Sequence, residues 1–265
     1  MTTKTPPTGS AVKFGFRWLM DHKYITSALF SLFVCIALIV CQLVYENIGS
    51  ISFLTAEEFG SIIKMDIMSP TPLSTFVSSY FHMDMSHLLN NVLGYAVLSV
   101  LVLLTIWARE LLHKKPMPPY YLFCLNVMTV FVLPVFVSLS SVIGWRLISA
   151  ESVNVIGFSG AVTAVLGILM VQVILLVGSY SYKSMITSDP GLFRSLSGLF
   201  AFLFCLTTVF VLWTTGLYVL TIDVAGLMDG ERINFFGHVF GFILGVILAL
   251  VLEKLPDAEG EMEDG

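Results

Sequence analysis

The sequence predicts an all-α membrane protein, a bundle of six transmembrane helices with both ends in the cytoplasm. Three observations carry this expectation. Hydrophobic residues make up 57% of the 265-residue chain and charged residues only 12%, more apolar surface than a water-soluble fold of this length can hide. Apolar runs of spanning length recur along the chain, separated by polar segments rich in turn residues. Lys and Arg also fall unevenly between the two sides that those runs define.

Residues 1–24 are polar and basic, with Lys4, Lys13, Arg17 and Lys23, and are assigned to a cytoplasmic segment. The run 25–45 is longer than the apolar region of a signal peptide and no A-x-A site follows it, so it is expected to be a first span. A loop of about 40 residues comes next, whose apolar pieces Phe53-Leu54 and Ile62-Ile63 suit a membrane surface. The second span is expected over 86–107. The third covers 119–142, with Pro134 as the site of a kink. The fourth covers 158–178, the fifth 195–220 and the sixth 235–252. The six-helix domain thus runs over 25–252, and residues 253–265 form an acidic cytoplasmic tail. No repeat or low-complexity segment interrupts this pattern.

Orientation follows from the basic residues. With the N-terminus inside, the cytoplasmic segments hold ten Lys and Arg, and the outer ones only Lys64, Arg146 and Arg232. The net charge of −5 argues against a nucleic-acid partner. Cys35, Cys41, Cys124 and Cys205 all fall in apolar runs without CxxC or Cys/His spacing, and read as small packing residues.

With this topology the second, fourth and sixth spans all start at the outer surface. Ser159, between Gly157 and Gly160, opens the fourth span, and His238 opens the sixth. His82 precedes the second span. His87 and Asn91 lie within it, four residues apart and so on one face, which Tyr95 continues. Gly237, Gly241 and Gly245 form a small-residue stripe on the sixth span, and Gly160, Ala164 and Gly167 a matching one on the fourth. Packing stripe on stripe brings two helix backbones close together and carries His238 towards Ser159.

Ionisable or polar groups in a span are costly and point to function. A serine hydroxyl becomes a nucleophile when an imidazole can take its proton. The Ser159 backbone N–H, the Asn91 amide and a His87 imidazole N–H are donors for the oxyanion of a tetrahedral intermediate. No Asp or Glu occurs in these three spans to orient His238, so the arrangement is a dyad. The blander alternatives are a serine bonding back to its own helix and a histidine joining helices. Zinc is a rival use of the histidines, but no HExxH is present.

The three motifs together resemble the rhomboid family of intramembrane serine proteases. They are His82-x4-His87-x3-Asn91, Gly157-Phe158-Ser159-Gly160 and His238-x2-Gly241-x3-Gly245. They stand in the family's order, on the expected spans, and the resemblance covers about residues 25–252. It implies Ser159 as nucleophile, His238 as general base, His87 and Asn91 at the oxyanion site, and His82 as a structural histidine bonding within the loop before the second span. Gly157, Gly160, Gly241 and Gly245 would be supporting positions. It further implies cleavage of transmembrane segments of other proteins near the outer face of the plasma membrane, with no cofactor and no metal. The six-span count is similar to that of the simple bacterial or archaeal members.

Two departures stand out. Thr163 occupies the place of a tyrosine that stacks on the histidine in many members. The first outer loop lacks the family's Trp-Arg pair; the only such pair, Trp145-Arg146, follows the third span. The alternative function is a silent relative that binds membrane clients without cutting them. A transporter is a more distant reading, because no inverted repeat is visible.

Overall fold

A computed structural model describes residues 22–47, 60, 63–82, 84–113, 116–148, 154–155, 157–186 and 235–254. The expected fifth span lies outside them, as do the acidic tail beyond Lys254 and nearly all of the N-terminal segment. The described chain is mostly helical. Helix α1 is Lys23–Glu46. A two-residue strand β1, Met65–Asp66, leads to the short helix α2, Pro72–Val77, and a 3-10 turn, Ser78–Tyr80. Helix α3 is Met85–His113. The third span is built from α4, Pro119–Val127, a π-helical turn, Met128–Val132, and α5, Leu133–Ile148. Strand β2, Asn154–Val155, precedes α6, Ser159–Ile186, and α7 is Phe235–Leu252.

Four of these stretches are long and apolar enough to cross a membrane, namely Lys23–Glu46, Met85–His113, Tyr120–Leu147 and Ser159–Tyr180. Their outward faces carry Leu29, Phe33, Leu93, Leu104, Phe123 and Ile143, all exposed. Such continuous apolar surface needs lipid to cover it. By length and composition, four of the described helical stretches can cross a membrane, as those of a multi-pass membrane protein do.

The local chemistry of each boundary is visible. Thr71 caps α2 in a reciprocal box with Ser74, with Pro72 in the first turn. The Asp84 carboxylate accepts the His87 N–H at 2.8 Å and so caps α3. In the third span Pro134 has no N–H to offer the Val130 carbonyl four residues back. A π turn precedes it, so the irregularity expected at Pro134 begins six residues earlier.

Helix α6 is the central element. Over half of its spanning window is buried (56%), against 28% for α1 and 22% for α3. Its most extensive packing is with α7 and next with α3. The α6–α7 seam needs its glycines. A Cβ on Gly241 would stand 2.2 Å from the Gly160 oxygen, one on Gly245 2.0 Å from the Ala164 oxygen, and one on Gly167 2.3 Å from the Phe242 oxygen. No side chain fits at such distances, so the two backbones touch.

The all-α expectation holds at the level of class, with one small addition: a two-residue antiparallel ladder in which Met65 pairs with Val155 and Asp66 with Asn154. Two finer expectations are corrected here. Ile63, expected at the membrane surface, is buried. Glu253, assigned to the tail, turns back onto the bundle. Its carboxylate receives both terminal nitrogens of Arg109, at 2.6 and 2.9 Å. Gln172 and Tyr121 complete that cluster: Gln172 donates to the Tyr121 oxygen at 2.7 Å and accepts from Arg109 at 2.6 Å. Burial alone would raise the Glu253 carboxyl, but the hydrogen bonds and charge of Arg109, helped by Gln172 and Tyr121, hold it below the usual carboxylate range. The neighbouring Glu110 pairs instead with Lys23 of α1 and accepts the Met117 N–H. The end of α3 therefore ties together one end of the described helices α1, α4, α6 and α7.

Candidate active site

Ser159 is the first residue of α6, and the turn that delivers it is held on every side. Gly157 has φ +122°, a conformation that L side chains rarely adopt. A Cβ there would also meet His87 Cε1 at 3.5 Å and His82 Cδ2 at 3.7 Å. The Gly157 N–H donates to the Ser78 carbonyl at 2.9 Å. The next N–H, that of Phe158, donates to His82 Nε2 at 3.2 Å. The Phe158 carbonyl accepts from Ala161 and Val162 and closes the first turn of α6. Its ring is fully buried between Tyr80, 6.1 Å away, and Tyr95, 5.4 Å away.

His82 is thus placed differently from the expectation. Its partner is not in its own loop but 76 residues onward, at the turn before the serine. Its backbone is held by Gln42 of α1, which accepts the His82 N–H at 3.0 Å and donates to the His82 carbonyl at 3.2 Å. Burial is the main reason that the imidazole is lowered to about 4, with the nearby His87 adding to it and Asp84 opposing. At neutral pH the ring is uncharged, which leaves Nε2 free to accept from Phe158.

His238 sits in the first turn of α7, buried next to Gly237. The seam sets its height. A Cβ on Gly160 would lie 3.1 Å from the Gly237 oxygen, so the residues flanking those two glycines, Ser159 and His238, are level across the helix pair. Both line one cavity of about 280 Å³, together with Asn91, Thr163, Leu98, Val162, Leu166, Val239, Phe242 and Ile243. The Ser159 hydroxyl donates no hydrogen bond among the described residues. Asn91 is buried, and its amide nitrogen has no partner among them either. Because Asn91 lines the cavity, that open donor is within reach of a group bound there.

The sequence-predicted residues fall into three groups. Ser159, His238 and Asn91 meet at the cavity. His82 and His87 lie beside the Gly157 turn, their rings edge to face at 5.2 Å. Gly160, Gly241 and Gly245 are the seam itself. Thr163 does not take over a stacking role by size: its hydroxyl donates back to the Gly160 carbonyl at 2.9 Å and fills the space beside Gly241. Among the described residues, no three His, Cys, Asp or Glu side chains converge as metal ligands do.

Several supporting residues escaped the sequence reading. Gln42, a fully buried amide in an apolar run, is one whose polarity could have flagged it. Arg146 is another. Its guanidinium donates to the Ile67 carbonyl at 2.7 Å and the Met68 carbonyl at 2.9 Å, so the end of the third span secures the segment between α1 and α3. Its neighbour Trp145 is buried against Phe236, the residue two before His238, with rings 5.6 Å apart.

Comparison with protein-family models and with curated proteins finds no match for this chain.

Proposed function

We propose that the chain is an intramembrane serine endopeptidase of the rhomboid kind, working through a Ser159–His238 dyad. In this reading six spans cross the plasma membrane with both termini in the cytoplasm, and the substrates are transmembrane segments of other proteins cut near the outer face. The observation that carries it is the shared cavity: a hydroxyl, an imidazole and an open amide donor from three helices line one mostly apolar hollow.

The chemistry is acyl transfer. His238 takes the Ser159 proton as Oγ attacks the scissile carbonyl carbon, and the new C–O bond leaves a negative oxygen. The Asn91 amide and the Ser159 N–H, at a helix start, stabilise that oxyanion; His87, beside Gly157, is the further donor. Collapse breaks the C–N bond, and the amine leaves with the proton from His238. Water, deprotonated in turn by His238, then hydrolyses the ester and restores the hydroxyl. The dyad needs no carboxylate because the helix seam fixes the two groups relative to each other.

The test is labelling of the purified protein with a serine-directed fluorophosphonate, with the adduct located by mass spectrometry. Adduct at Ser159, absent in Ser159→Ala, is the expected result. Absence of adduct from the wild type favours a client-binding relative that does not cut.

A further inference from the structure

Three consecutive residues of the 3-10 turn touch both the third span and the turn before Ser159. The Ser78 carbonyl holds the Gly157 N–H at 2.9 Å. The Ser79 hydroxyl meets the Ser138 hydroxyl at 3.2 Å. Tyr80 does two things at once. Its hydroxyl donates to the Val130 carbonyl at 2.5 Å, and its ring lies tilted over Phe158, the residue before Ser159. A second ring, Phe76, backs Tyr80 at 5.4 Å.

The Val130 carbonyl lacks its regular helical partner for a definite reason. That partner would be the N–H of residue 134, and that residue is Pro134. A carbonyl deprived of its helical donor in a membrane is satisfied by another, and the side-chain donor that reaches it, the Tyr80 hydroxyl, belongs to a residue whose ring packs against the nucleophile's turn. Phe158 is then gripped from two sides, by Tyr80 and by Tyr95. Tyr95 stands one turn beyond Asn91 on the same face of α3.

We propose that Tyr80 is a positioning residue for Ser159, tethering the Phe158–Ser159 turn to the carbonyl that Pro134 leaves open in the third span. The proposal rests on the protease reading for its effect on catalysis, but the tether itself does not. Burial pushes the Tyr80 phenol up to about 12, so it remains a donor throughout the working pH range. A small displacement of a nucleophile costs rate steeply, so the tether acts on turnover rather than on substrate affinity.

The experiment compares wild type, Tyr80→Phe, Pro134→Ala and the double variant in detergent. Three quantities are measured on each: the rate of fluorophosphonate labelling at Ser159, amide hydrogen exchange over residues 157–162 and the melting temperature. Tyr80→Phe keeps the ring and loses the tether. Labelling is expected to slow by about 10- to 100-fold, and exchange to quicken. Pro134→Ala supplies an N–H to Val130, so the double variant should regain the wild-type melting temperature while labelling stays slow. Wild-type labelling and exchange in Tyr80→Phe overturn the proposal. So does full recovery of labelling in the double variant, which would make the hydroxyl a mere plug for the carbonyl. If the wild type itself is not labelled, the protease reading fails, and unchanged exchange in Tyr80→Phe still sinks the tether.

Discussion

The two ends of the α6–α7 pair treat buried polar groups in opposite ways. At the end that begins with Ser159 and His238, the Ser159 hydroxyl and the Asn91 amide face a cavity, and the amide nitrogen has no partner among the described residues. About 20 Å along α6, thirteen residues further, Gln172 is fully buried and bonded to Arg109, Tyr121 and Glu253. Polarity inside a membrane protein is therefore not a sign of function by itself. Groups that satisfy one another hold the bundle together; a donor left open on a cavity is available to a group bound there.

This contrast can be broken at the seam, where the largest effect is expected. Gly245→Val would drive a side chain into the Ala164 backbone, 2.0 Å from its oxygen. Loss of about 3 kcal/mol and of all labelling at Ser159 is expected, since the seam serves both ends. Thermal unfolding in detergent, followed by circular dichroism, checks the first part.

A change at the bonded end should touch stability and leave the chemistry alone. Arg109→Leu strands the Glu253 carboxylate and should cost about 3 kcal/mol. Replacing both Arg109 and Glu253 with Leu should recover most of that. An equal loss in the double variant would show that the pair is not acting as a unit.

At the open end the signature reverses. Asn91→Ala should slow turnover by about 10- to 1,000-fold with an unchanged melting temperature, because its amide nitrogen bonds to no described residue. A stability loss without a rate loss would move Asn91 into the structural group.

The smallest effect is a pH dependence at the turn. His82 titrates at about 4 in the folded protein, below the roughly 6.5 of an unfolded histidine. The unfolded chain binds the proton first, so this contribution is whole above about pH 6.5 and fades as pH falls towards 4. His82→Gln should flatten the stability profile over that window.

Much of this arrangement was legible in the sequence. Glycines four apart on one apolar run and a matching stripe of small residues on another point to close backbones, and the residues beside them, Ser159 and His238, inherit that closeness. What was hidden involves contacts between distant segments with no local signature. Nothing near His82 points to Phe158, and nothing in 128–132 spells a π turn. Arg109 and Glu253 read as a loop charge and a tail charge because a count of charges by side ignores which of them find each other. Gln42 and Gln172 were the available hint, as lone amides in apolar runs.

The central claim is that Ser159 and His238 act as one chemical unit. The most direct measurement is cleavage of a purified single-span substrate co-reconstituted in liposomes with wild type, Ser159→Ala or His238→Ala. Product from the wild type alone, with all three proteins melting at the same temperature, is the predicted result. Product from either variant at the wild-type rate would contradict it.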